Sequence, residues 1–149
     1  SSNLASTPEP NSASIVLSTT SKNYKVSDIV PVLVEVATGG HSVSSLDLIL
    51  KFDPAYLSAT SSAAASDGVF QQYSSPVIDN KIGTIGISGI SGGVFNGSGS
   101  FATINFIAKT VGETKIIVDF APGVSSDSNM LDGSTDILEN VNDVIVRIQ

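Results

Sequence analysis

Between Val43 and Asp53 the chain reads VSSLDLILKFD, and apolar residues fall at every second place. Side chains alternate between the two faces of a strand, so Leu46, Leu48, Leu50 and Phe52 share one face. Ser45, Asp47, Ile49, Lys51 and Asp53 share the other. This spacing predicts a strand with a core face and an outer face carrying a carboxylate, an aliphatic group and an ammonium. Asp53-Pro54 ends it.

The same period recurs along the chain. Ser14–Thr19 (SIVLST) predicts a first strand. Ile29–Ala37 (IVPVLVEVA) predicts another, with Val32, Val34 and Val36 on one face and Pro31 marking an edge or bulge. Tyr56–Ser61 follows. Val77–Ile78 and Ile82–Ser88 flank a hairpin turn at Asp79-Asn80-Lys81. Ser100–Lys109 alternates with Ala102, Ile104, Phe106 and Ala108 inward. Glu113–Phe120 comes after a turn at Val111-Gly112, and Asp143–Ile148 closes the series. The glycine-rich stretch Ser88–Ser100 (SGISGGVFNGSGS) reads as a long loop, with Val94-Phe95 as its anchor.

No helical period intervenes, and parallel crossovers would need helices. The expected fold is all-β: a two-sheet antiparallel β-sandwich of about nine strands over residues 13–149. Residues 1–12 (SSNLASTPEPNS) have the composition of a linker to a preceding module.

Composition sharpens this reading. At 149 residues the chain suits one domain with a real core. Charged residues make up only 14%, so the surface is dressed mainly with Ser, Thr, Asn and Gly. The net charge is −7, with 7 scattered basic residues, which argues against nucleic-acid binding. Without cysteine there are no disulfides, thiolate metal sites or cysteine nucleophiles. No stretch approaches the ~20 apolar residues of a membrane-spanning helix.

Candidate chemistry is sparse. The single histidine, His41, falls in a turn (Gly39-Gly40-His41-Ser42), and no serine is marked as its nucleophile. Asp47, Asp53, Asp79 and Asp119 fall on different strands or turns, without the pairing that glycoside hydrolysis needs. Asp127–Asp136 (DSNMLDGSTD) fails the EF-hand pattern at Leu131 and Gly133. An irregular calcium site on Asp127, Asn129 and Asp132, or a plain acidic loop, stays open. The glycine-rich stretch precedes a strand rather than a helix, so it lacks the basis of a phosphate cradle. No enzyme activity and no cofactor is expected.

Several segments in order resemble the cohesin family, the receptor modules of cellulosomal scaffoldins. They are Tyr24-Lys25-Val26-Ser27-Asp28, then Leu46–Leu57 (LDLILKFDPAYL) and Asn80–Ile87 (NKIGTIGI), then Gly97–Lys109 (GSGSFATINFIAK) and Gly112-Glu113-Thr114-Lys115. The resemblance covers roughly Ala13 to Gln149. It implies a jelly-roll sandwich that binds a dockerin module on another, typically polysaccharide-degrading, protein. The calcium of such a complex belongs to the dockerin. It also implies an extracellular or cell-surface module of a larger exported protein.

In this family one sheet presents the docking face, and a carboxylate early in the third strand commonly hydrogen-bonds the dockerin. Asp47 matches that position, while Ser45 departs from the Asn often found two places before it. The dockerin-binding residues that the resemblance implies, extended from Asp47 along the same face by parity, are Ser45, Asp47, Ile49, Lys51, Thr84, Gly86 and Ser88, with Ser91 and Gly92 lining the rim from the following loop. No metal ligand is among them. Two alternatives remain open, a carbohydrate-binding sandwich and a structural spacer in a surface adhesin, with a cryptic hydrolase ranked last; a weak homodimer is allowed for as a further partner.

Overall fold

The computed structural model describes residues 12–64, 70–121 and 126–149. Every regular element among them is a strand: β1 Ala13–Thr19, β2 Asn23–Tyr24, β3 Ile29–Ala37, β4 Val43–Phe52, β5 Leu57–Ala64, β6 Gln72–Tyr73, β7 Val77–Asp79, β8 Thr84–Phe95, β9 Ser98–Ala108, β10 Gly112–Val118, β11 Asn129–Asp132, β12 Thr135–Asp136, β13 Leu138–Asn142 and β14 Val144–Ile148.

They form two sheets. The smaller has five strands in the order β13-β1-β3-β9-β5. The larger has nine, built around β4. β8 pairs with one edge of β4, and β6 and β7 pair with the far edge of β8. The other edge of β4 is shared, with β10 along Leu50–Phe52 and β11 along Ser45–Asp47. β14 and β2 continue beyond β10. Most pairs are antiparallel; β1–β13 and β14–β2 are parallel.

Alternation explains the core between the sheets. Leu46, Leu48, Leu50 and Phe52 of β4 are buried, as are Val32, Val34 and Val36 of β3 and Ala102, Ile104, Phe106 and Ala108 of β9. Phe52 and Phe106 meet edge-on across the sandwich, ring centres 5.2 Å apart. At the other end Phe101 packs on Phe70 and Tyr73. The Tyr73 hydroxyl donates to the Phe101 carbonyl, and burial pushes its pKa up.

Two side chains complete the ladders where strands are missing. Ser128 is fully buried between the ends of β10 and β11: its hydroxyl accepts the Ile49 N–H at 2.9 Å and donates to the Ile49 carbonyl at 3.1 Å. Asn80 reaches from the β7–β8 turn to the irregular part of β5, accepting the Ala59 N–H and donating to the Ala59 carbonyl. Asn80 thereby satisfies both backbone groups of Ala59, and Ser128 satisfies the Ile49 N–H, while the Ile49 carbonyl also accepts the Asp119 N–H at 2.8 Å.

Three expectations change. The glycine-rich segment is no loop: β8 runs on to Phe95, and the turn at Asn96-Gly97 leads directly into β9. Within it Val94 is 69% exposed, so only Phe95 anchors, its ring edge-on to Phe70. The acidic stretch Asp127–Asp136 supplies two further strands, because β11 finds a backbone partner in β4. Ser12, at the end of the proposed linker, is buried, and its hydroxyl donates to Glu139. Residues 1–11 lie outside the described residues.

Candidate functional site

The outer face of the larger sheet is assembled from β4, β8 and β7 in register. Asp47 lies opposite Ser88, Ile49 opposite Gly86, and Lys51 opposite Thr84. Val77 continues the Ile49–Gly86 row on β7. Six of the nine expected residues, Asp47, Ile49, Lys51, Thr84, Gly86 and Ser88, therefore share one continuous face. Ser45 joins them one row along, opposite Ile90.

The rows differ in chemistry. In the first, the Ser88 hydroxyl donates to Asp47 Oδ1 at 2.6 Å, and the Ser88 N–H is held by Ser74 Oγ. The second is aliphatic and flat at its centre, since a Cβ at Gly86 would meet nothing within 4 Å. In the third, Lys51 Nζ stands 3.6 Å from Asp119 Oδ2. The flanking aliphatics are strongly exposed, Val77 at 72% and Ile90 at 52%. Asp47, Ile49, Gly86, Ser88, Val77 and Asp127 line a shallow depression of about 310 Å³ in this face.

Ser91 does not line the rim. It is buried, with its hydroxyl within 3.3 Å of the Val43 and Ser44 carbonyls and 2.6 Å from that of Gly93. The reason is parity: Thr84, Gly86, Ser88 and Ile90 face out, so Ser91 faces in. Gly92 follows it in the irregular part of β8, between the Ile90 and Phe95 pairings, rather than in a loop. Ile90 and Val77 are the surface residues that the sequence reading passed over. Continuing the strand two places past Ser88 would have found Ile90.

The calcium reading is not supported. Asp127 Oδ2 accepts the Ala121 N–H at 2.5 Å, Asn129 donates to the Asp127 carbonyl, and Asp132 pairs with His41 at 3.6 Å. Asp136 accepts the Met130 and Leu138 N–H groups. These side chains take separate partners, and no three metal-binding acids or imidazoles gather among the described residues. No helix among the described residues is long and apolar enough to cross a membrane.

Comparisons with known proteins fit this geometry. The family model of the cohesin domain matches residues 14–143. No curated protein matches the chain. Among solved structures, the third ScaC cohesin of Acetivibrio cellulolyticus, in complex with the ScaB dockerin, is similar with a TM-score of 0.74 and 20% identity, over 91% of this chain and 98% of that one. The OlpC cohesin of Clostridium thermocellum, also in a dockerin complex, gives 0.74 and 15%, over 97% of both chains. A type II cohesin from the Acetivibrio cellulolyticus cellulosome gives 0.69 and 13%, over 91% of this chain and 95% of that one. At these identities the structures speak for the fold alone. The family match spans most of the chain, and the chain belongs to the cohesin family.

Proposed function

We propose that this chain is a non-catalytic docking module that binds a dockerin on a partner protein through the outer face of its nine-stranded sheet. The observation that carries the reading is the pair of adjacent rows on β4 and β8, one polar and hydrogen-bonded (Asp47–Ser88), one aliphatic and flat (Ile49–Gly86–Val77). A flat apolar centre beside an oriented carboxylate is what a protein interface with a desolvated core needs. Ser45, Lys51, Thr84 and Ile90 frame it. In line with the family, we place the module outside the cell or on its surface, as part of a larger exported protein whose partners are polysaccharide-degrading enzymes.

A sugar-binding reading lacks its usual platform. The chain has no Trp, Tyr24 is buried, Tyr56 and Tyr73 are partly buried against the core, and the Tyr73 hydroxyl is bonded to Phe101.

Calorimetry with a dockerin from the source organism tests the proposal. Asp47→Ala should weaken binding by about 2–5 kcal/mol, the usual cost of truncating one partner of a buried, hydrogen-bonded interfacial charge. Unchanged affinity would remove this face from the interface.

A further inference from the structure

We propose that Asn96-Gly97, at the turn between β8 and β9, is a site of self-modification. The Gly97 backbone nitrogen closes onto the Asn96 side chain with the Thr38 hydroxyl as proton shuttle, and water opens the ring to aspartate or isoaspartate. This chemistry is independent of what docks on the larger sheet.

Asn96-Gly97 is the one Asn-Gly pair in the sequence. Gly97 has no side chain to crowd its nitrogen, and its φ of +150° is a conformation that other residues rarely adopt. Asn96 is exposed, whereas Thr38, on the facing turn after β3, is only 1% exposed. The buried Thr38 hydroxyl meets both reacting groups: it accepts the Gly97 N–H at 2.9 Å and donates to Asn96 Oδ1 at 3.4 Å. The Thr38 N–H donates to the Gly97 carbonyl at 2.8 Å, which holds the hydroxyl against the turn. On its other side Asn96 Nδ2 donates to the Gly40 carbonyl at 3.3 Å.

A hydroxyl accepts and donates at once, so it can take a proton from the nucleophile while giving one to the oxygen that gains charge. As the Gly97 nitrogen bonds to the Asn96 side-chain carbonyl carbon, its proton passes to Thr38 Oγ1 and the hydroxyl proton passes to Oδ1. The tetrahedral carbon then expels its amino group as ammonia. Water, which reaches the exposed turn, carries the proton from the new hydroxyl to the leaving nitrogen, and a succinimide ring remains. Water adds at either ring carbonyl and leaves aspartate or isoaspartate at position 96, adding one negative charge to a net charge of −7. A carboxylate cannot donate to the Gly40 carbonyl, so a bond that ties the β8–β9 turn to the β3–β4 turn is lost.

The test stores the intact module in mildly alkaline buffer and locates conversion by peptide mass spectrometry and an isoaspartate assay. Asn96 should become a mixture of aspartate and isoaspartate while Asn80 and Asn105 stay intact. Thr38→Val removes the hydroxyl at nearly constant volume. It should slow conversion about tenfold, less than the ~10²–10⁴ of a positioned proton-transfer group because water replaces the hydroxyl in part. Thr38→Ser keeps the hydroxyl and should convert at nearly the parent rate. Thermal unfolding before storage checks each fold, and Thr38→Ala serves the same comparison if Thr38→Val does not fold. An Asn96 that stays intact in the parent would overturn the proposal. So would Thr38→Val or Thr38→Ala converting as fast as the parent or faster, which would make the hydroxyl a guard of the turn instead of a shuttle.

Discussion

Gly86 allows the face to be blocked without disturbing the fold. A Cβ built there meets nothing within 4 Å, so a larger side chain would project into solvent between Val77 and Ile49. Glycine within a strand costs about 0.5–1 kcal/mol relative to alanine. Gly86→Ala should therefore be neutral to slightly stabilising, raising Tm by at most about 2–4 °C for a chain of this size. Gly86→Leu adds four carbons at the flattest point of the proposed contact. Interface centres pack as densely as protein interiors, where extra methylenes cost about 1–3 kcal/mol or more. A loss of about 10- to 100-fold in dockerin affinity follows, with no loss of thermal stability. Calorimetric binding and unfolding scans on the same samples read both quantities. Gly86→Leu that binds as tightly as the parent would refute the placement of the interface, and Gly86→Leu that unfolds would refute the openness of the site.

Other substitutions should do the opposite, destabilising the module while leaving the docking face chemically unchanged. Gly83 has φ +83°, and a Cβ there would stand 2.0 Å from the Phe52 carbonyl oxygen, so Gly83→Ala should cost about 2–4 kcal/mol in urea unfolding. Asn80→Ala strands both backbone groups of Ala59 and should cost about 1–3 kcal/mol, lowering the urea midpoint at unchanged slope. Ser128→Ala should fall at the lower end of that range, because the Ile49 N–H loses its buried acceptor while the Ile49 carbonyl keeps the Asp119 N–H.

Strict alternation made the central strands legible. β3 and β4 emerge at their expected positions because one face is wholly buried and a register slip would expose it. The same parity placed Asp47, Ile49, Lys51, Thr84, Gly86 and Ser88 on one side of one sheet. Composition misled at the far end of β8. Gly89, Gly92 and Gly93 carry little strand propensity, and that segment becomes strand through its partners β4 and β6. Gly89 itself is required by packing, since a Cβ there would lie 2.4 Å from the Phe70 ring. β11 was hidden for a related reason: Asn129 and Asp132 look like loop residues, and only the free edge of β4 makes them strand. Ser128 carried no signal in the sequence and Asp127 suggested only a calcium ligand, because their observed roles depend on Ile49 and Ala121, which are distant in the chain or in another turn.

The claim that the outer face of the larger sheet is the docking surface is tested most directly by mapping backbone amide shifts of the labelled module on adding a dockerin. Perturbed amides should concentrate on β4, β7 and β8 and on residues 126–129, with Asp47, Gly86 and Ser88 among the most affected. A footprint on β1, β3 and β9 of the opposite sheet would contradict it.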